Sequence, residues 1–182
     1  MEKPNIETLV ETIQSLGVVN LTELSIPLAL TCQTFPPQHW GSDTLEESLK
    51  VTLPKSLKQL WHKTSELRLF EDLTYGQWGL VIWSPEQVIQ EQETRMAQRQ
   101  EDFRSSDLII GEFLGDSELL LIRCDEQHTD FSKIMIALPL EQREDWYVAA
   151  DSLEEFLSQW ITFRGEKFWE SSFVTNHPSL AL

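Results

Sequence analysis

The chain has 182 residues, of which 41% are apolar and seven are Trp, and it carries 30 acids against 14 bases for a net charge of −16. That length allows one domain, or one domain with an extension, and about 70% of the unfolded surface can be hidden without a staple. The composition excludes global disorder, and the charge argues against binding nucleic acid phosphates or an anionic membrane, which both call for clustered Lys and Arg.

No run of about 18 apolar residues exists to span a bilayer. The opening Met1-Glu2-Lys3-Pro4-Asn5 lacks an apolar signal core. The expectation is a cytoplasmic protein in which Cys32 and Cys124 are reduced thiols. The acidity is uneven. Residues 101–130 hold nine acids and two bases, net −7, and residues 141–170 hold eight acids and three bases, net −5. Residues 50–68 are basic, with five bases against one acid, net +4.

A helix is predicted over residues 5–16. Asn5 caps it, Ile6, Leu9, Val10, Ile13 and Leu16 repeat at three-to-four spacing, and Gly17 stops it. Residues 18–41 lose period, contain Pro27, Pro36 and Pro37, and read as an irregular connection with a short strand or helical turn near Leu28–Thr31. Residues 1–41 are therefore expected to form an N-terminal extension. Asp43 with Glu46 reads as a capping box opening a short helix with Leu45 and Leu49. Pro54 then suits a first helical turn, followed by Leu57, Leu60, Trp61 and Thr64 on one face.

A strand is predicted over Trp78–Trp83, then a polar helix or loop over residues 86–106 anchored by Val88, Ile89 and Met96. Leu108–Phe113 and Glu118–Cys124 read as a hairpin, and the unalternating Leu119–Ile122 run implies a strand covered on both faces. Lys133–Leu138 and Trp146–Ala150 read as further strands. Asp151 with Glu154 reads as the cap of an amphipathic helix carrying Leu153, Phe156, Leu157, Trp160 and Ile161. Residues 164–182 read as a C-terminal tail whose Phe168, Trp169 and Phe173 dock on the body. Helices, a strand meander and a closing helix make an α+β fold: an antiparallel sheet of about four to six strands covered by helices.

Chemistry is hard to find. His39, His62, His128 and His177 show no metal-ligand spacing, and Cys124-Asp125-Glu126-Gln127-His128 reads better as a strand end running into an acidic turn. Cys124 and His128 form the only local nucleophile–base pair, with no glycine turn beside them for an oxyanion. Gly76-Gln77-Trp78-Gly79 is no phosphate cradle. No catalytic residue, metal ligand or cofactor site is assigned. Trp61, Phe156 and Trp160 fall at core spacing.

The run Leu45-Glu46-Glu47-Ser48-Leu49-Lys50-Val51-Thr52-Leu53-Pro54, with Leu57, Leu60 and Trp61 after it, resembles the opening of the SUKH superfamily domain. Asp107–Phe113 with Gly115-Asp116 and Leu119–Ile122 resembles its central hairpin, and Val148–Leu157 its closing strand and helix. The resemblance covers residues 42–163. It departs at Thr64-Ser65-Glu66, where the family often has Asn-Gly, and in the longer segment 86–106. It implies a non-catalytic protein-binding domain, shared by bacterial immunity proteins and by fungal cell-wall assembly regulators. The expected partner is another protein, basic and toxin-like, met by an acidic surface of Glu91, Glu93, Glu101, Asp102, Asp125, Glu126 and Asp130. The alternative is a regulatory scaffold of the cell-wall assembly type, recruiting through residues 1–41; an enzyme comes third. The sequence leaves the oligomeric state open.

Overall fold

Among the described residues, eight antiparallel strands lie side by side in chain order. They are β1 (Val18–Leu21), β2 (Leu28–Thr34), β3 (Leu67–Asp72), β4 (Leu80–Ile82), β5 (Asp107–Phe113), β6 (Leu119–Arg123), β7 (Ile134–Ala137) and β8 (Tyr147–Ala150). The helices are α1 (Ile6–Leu16), α2 (Ser42–Leu49), α3 (Lys55–Lys63), α4 (Pro85–Gln98) and α5 (Leu153–Thr162). This computed structural model describes residues 4–21 and 28–170; Phe173 and His177 lie outside the described residues.

The fold is α+β as the sequence predicts, but the sheet has eight strands rather than four to six. The extra strands come from stretches whose alternation is hidden. Residues 18–34 hold β1 and β2: β2 begins at the short strand or turn expected near Leu28–Thr31 and runs on to Thr34, whereas β1 stands where an irregular connection is expected, because Asn20 dilutes its apolar signal. Strand β3 is masked by its own bulge. Phe70 takes φ +54, so Leu69 and Phe70 both turn inward and strict alternation is lost. Cys32 Sγ, across on β2, accepts the Phe70 amide at 3.4 Å.

Local chemistry explains each helix start. Asn5 Oδ1 accepts the Thr8 amide at 2.9 Å, and Ser84 caps α4 ahead of Pro85. At α5 the cap sits one residue later than the sequence predicts. Ser152 Oγ accepts the Glu155 amide at 3.2 Å, while Glu155 Oε2 accepts the Asp151 amide at 3.1 Å. This resembles a capping box, with Glu155 reaching back to the residue before the N-cap, and it lets Leu153 open the buried stripe. The Asp43 cap is a correction too: Gly41 precedes α2 with no side-chain cap. Glu46 instead reaches forward, accepting the Leu53 amide at 2.7 Å and pairing with Lys58 at 2.8 Å, so it ties α2 to the start of α3.

Helices α1, α3 and α5 pack on one another and on one face of the sheet. The row Leu108, Ile122, Ile134, Ala150 faces them, and Trp160 of α5 meets Phe113 edge-on at 5.5 Å. Trp61, Trp83, Phe156 and Trp160 are fully buried. Phe168 and Trp169 follow α5 and stack against Phe156, Phe113 and Trp160. Lys167 pins that turn to Asp116 at 2.7 Å and sits 2.8 Å from Glu118.

The opposite row is Ile109, Leu121, Met135 and Val148. Helix α4 covers its β5 end: Gln92 donates to the Asp107 carbonyl at 2.7 Å and accepts the Ile109 amide at 2.9 Å. Met135 and Val148, farther along, are left partly open. Cys32 and Cys124 are free and buried, and no described helix is long and apolar enough to cross a membrane.

Candidate functional site

The open stretch of this second face is the floor of a groove of about 660 Å³. Met135 and Val148 form its base, and Glu101, Asp102 and Arg104 stand on one wall after α4. Gln142, Arg143, Glu144 and Trp146, before β8, form the other, with Asp130 and Lys133 at its end. Leu121 and Ile109, in the same row, are covered; Met135 and Val148 are not, because α4 ends at Gln98.

A buried charge network holds the walls together. Asp107 has no exposed surface, and Arg123 and Arg143 both donate to its carboxylate. Arg143 adds bonds to the second Asp107 oxygen at 3.1 Å and to the Asp102 carbonyl at 3.0 Å. Arg123 also donates to Asp130 at 3.0 Å. Two guanidinium groups thus share one fully buried carboxylate, with Asp130 also balancing Arg123 at the groove end. Burial alone would push the Arg123 guanidinium down, but Asp130 and Asp107 outweigh it and hold it above its ordinary value. Burial likewise works to raise Asp130, and the bonds from Arg123 and His128 overcome it, so its carboxyl stays below the usual range.

Trp146 is the hinge of the second wall. It lies between Arg99 at 5.4 Å and Arg143 at 5.3 Å, and Phe103 packs against it at 5.2 Å. Its Nε1 donates to the Glu141 carbonyl at 3.1 Å. Arg99 pairs with Asp102 at 2.7 Å and donates to the carbonyls of Leu138 and Glu141. The loop from β7 to β8 is therefore clamped on both sides of Pro139 and Leu140.

Of the seven acids that the sequence singles out, Glu101, Asp102 and Asp130 come together here. Glu91 and Glu93 ride on α4, Glu91 paired with Arg95 at 2.9 Å. Asp125 and Glu126 sit in the β6–β7 turn and do not line the groove. Arg143, Glu144, Trp146, Lys133 and Met135 were not legible as site residues. One signal was available: Met135 falls on the opposite side of its strand from Ile134 and Ile136, so it had to face away from the helix-covered core.

The groove is poor in chemistry. His128 Nδ1 lies 2.9 Å from Asp130, but burial pushes the Cys124 thiol well up, and the thiol contacts the Ile122 carbonyl rather than a base. Among the described residues no group of His, Cys, Asp and Glu side chains is placed to hold a metal.

The model of the SMI1 / KNR4 family (SUKH-1) matches residues 43–159, well over half of the chain. The chain belongs to that family. Its SUKH-1 segment runs from the first turn of α2 to the last turn of α5 and contains the whole groove. Residues 1–42, with α1, β1 and β2, lie ahead of the match. The curated proteins give no match.

Proposed function

We propose that this SUKH-1 chain is a non-catalytic protein-binding domain that grips a basic partner protein at the groove, in the manner of an immunity protein neutralising a toxin. The observation that carries this reading is where the charges point. Arg99 and Arg143 turn inward onto carboxylates, main-chain carbonyls and the Trp146 ring, and Lys133 pairs with Asp151 at 3.1 Å. Glu101 and Glu144, on opposite walls, face solvent without an ion-pair partner among the described residues. Arg104 is the one lining base without an acidic partner among the described residues. The outward field is therefore acidic, in keeping with the net charge of −16, and it steers cationic proteins by charge complementarity.

The test is capture from native lysate by the wild-type chain and by a Glu101→Lys, Glu144→Lys variant, both washed at low salt and at about 1 M, where the screening length falls to ~3 Å. The expected result is one basic protein held by the wild type, released as salt rises and lost with the variant. Equal capture by both chains would remove the acidic groove from consideration. The regulatory-scaffold alternative has less support, because α1 and β2 are built into the core rather than displayed for recruitment.

A further inference from the structure

Strand β8 borders the groove and ends the sheet: it pairs with β7, and among the described residues nothing pairs with its outer side. Edge strands are usually blunted by charge, by proline or by cover, because bare backbone donors and acceptors invite another strand. Tyr147-Val148-Ala149-Ala150 carries neither charge nor proline. Val148 is 56% exposed on the groove side, and Leu140, in the loop leading to β8, is 93% exposed. Leu140 stands on the loop from β7 to β8. Here the loop is fixed by Arg99 on the carbonyls flanking it and by Trp146 on the Glu141 carbonyl. The strand entrance is fixed again by the Arg143–Asp107 contact. A preordered edge with an apolar knob costs little entropy to engage. The far edge, β1, lines no part of the groove.

We infer that the partner's docking element is an extended basic segment that pairs with β8 as a ninth strand. The inference rests on the acidic-groove reading and adds the mode of binding. Main-chain hydrogen bonds to Tyr147–Ala150 supply register, and alternate side chains of the added strand stand over the groove, where Glu101 and Glu144 select Lys or Arg. A second copy of this chain is disfavoured as the occupant, since each copy brings a charge of −16.

The probe is a capped peptide of about seven residues alternating Lys and Val, so that an extended strand carries Lys on one face. Its control is the same peptide N-methylated at every backbone nitrogen, which keeps the charge and removes the donors. Affinity is measured for the full chain, and amide exchange is followed at Tyr147–Ala150. The expected result is binding of the unmodified peptide at least about tenfold tighter than the control, with the β8 amides newly protected. Equal binding of the two peptides would overturn strand pairing while leaving the acidic groove intact, and binding of neither overturns it as well. Unmodified peptide binding the Glu101→Lys, Glu144→Lys variant as tightly as wild type would instead strike the acidic-groove reading. Protected β8 amides without peptide, together with a dimeric mass, would assign the edge to a second copy and end the proposal.

Discussion

Replacing Asp107 by Asn is expected to cost about 3–5 kcal/mol, the range for breaking a buried ion pair by removing one partner. Asp107 is wholly inaccessible, and the Arg123 and Arg143 side chains are 3% and 13% exposed. The amide keeps the shape and one acceptor but removes the charge that balances two guanidinium groups. Asp130 still faces Arg123 at 3.0 Å, so the uncompensated charge falls mainly on Arg143, which loses the one carboxylate it pairs with among the described residues. For a chain of this size each kcal/mol moves the midpoint by about 2–4 °C, so the melting temperature should fall by roughly 6–20 °C. Urea titration followed by Trp fluorescence gives the free energy directly, and calorimetry gives the shift in midpoint. Combining the change with Arg143→Met should recover part of the loss, because the orphaned cation goes with it. A loss below about 1 kcal/mol, the value of an exposed pair, would show that water reaches the network and would refute the argument.

Gly111→Ala should be severely destabilising, because a Cβ there would lie 2.2 Å from the Val81 carbonyl oxygen on β4, and backbone rather than a flexible side chain must yield; overpacking of this kind costs about 1–3 kcal/mol or more by urea titration. Ser152→Ala removes the acceptor of the Glu155 amide and should cost about 1 kcal/mol, read from the same titration. Acid should destabilise the fold below about pH 4. Asp130 is held low because Arg123 and His128 outweigh its burial, and Glu46 because Lys58 and the Leu53 amide do. The unfolded chain therefore binds more protons, and the stability these two contribute is present above the ordinary carboxylate values and lost as pH falls through the depressed ones. Glu118, raised by burial despite Lys167, acts in the opposite sense: its contribution is present at low pH and lost as pH rises through its raised value. Urea midpoints across that range should show a shallower acid limb for Asp130→Asn. Deleting residues 1–41 should abolish cooperative unfolding by circular dichroism, since it removes Ile6, Leu9, Val10, Ile13 and Leu30 from the core and strips β3 of its β2 neighbour.

Helices were the legible part of this chain. The Asn5 cap and the stripes of α1, α3 and α5 combine local signals that tertiary contacts reinforce, so periodicity alone placed them. Strands β5 to β8 were legible because apolar runs there are separated by turn residues such as Gly115-Asp116. Strands β1 and β3 were not, and β2 was legible only as a short strand or turn near Leu28–Thr31. The positive φ of Phe70 is dictated by packing beneath Trp160 and beside Cys32, which no local pattern encodes. The cap of α5 falls one residue after the one its sequence suggests, because Asp151 and Ser152 are both good acceptors and only the entry of Leu153 into the core decides between them. The acidic surface was half legible. Composition identifies the acids, but whether Glu101 or Asp102 is free depends on where Arg99 points, and Arg99 answers to carbonyls some forty positions away in sequence.

That last dependence explains why stability and recognition separate in this fold. The helix-covered face is mainly apolar, and Trp61, Phe156 and Trp160 contribute its burial. The groove face is organised instead by a buried carboxylate and two arginines, an arrangement that often stabilises no more than well-packed apolar residues of equal volume. Its effect is geometric. By holding Arg143 on Asp107 and Arg99 on the Leu138 and Glu141 carbonyls, it withdraws positive charge from the surface and fixes the wall carrying Glu144 relative to the wall carrying Glu101. A core of leucines could support the same sheet, but it would not neutralise those arginines or clamp the loop before β8. The network's selective value on this reading lies in the shape and sign of the groove rather than in the free energy of folding.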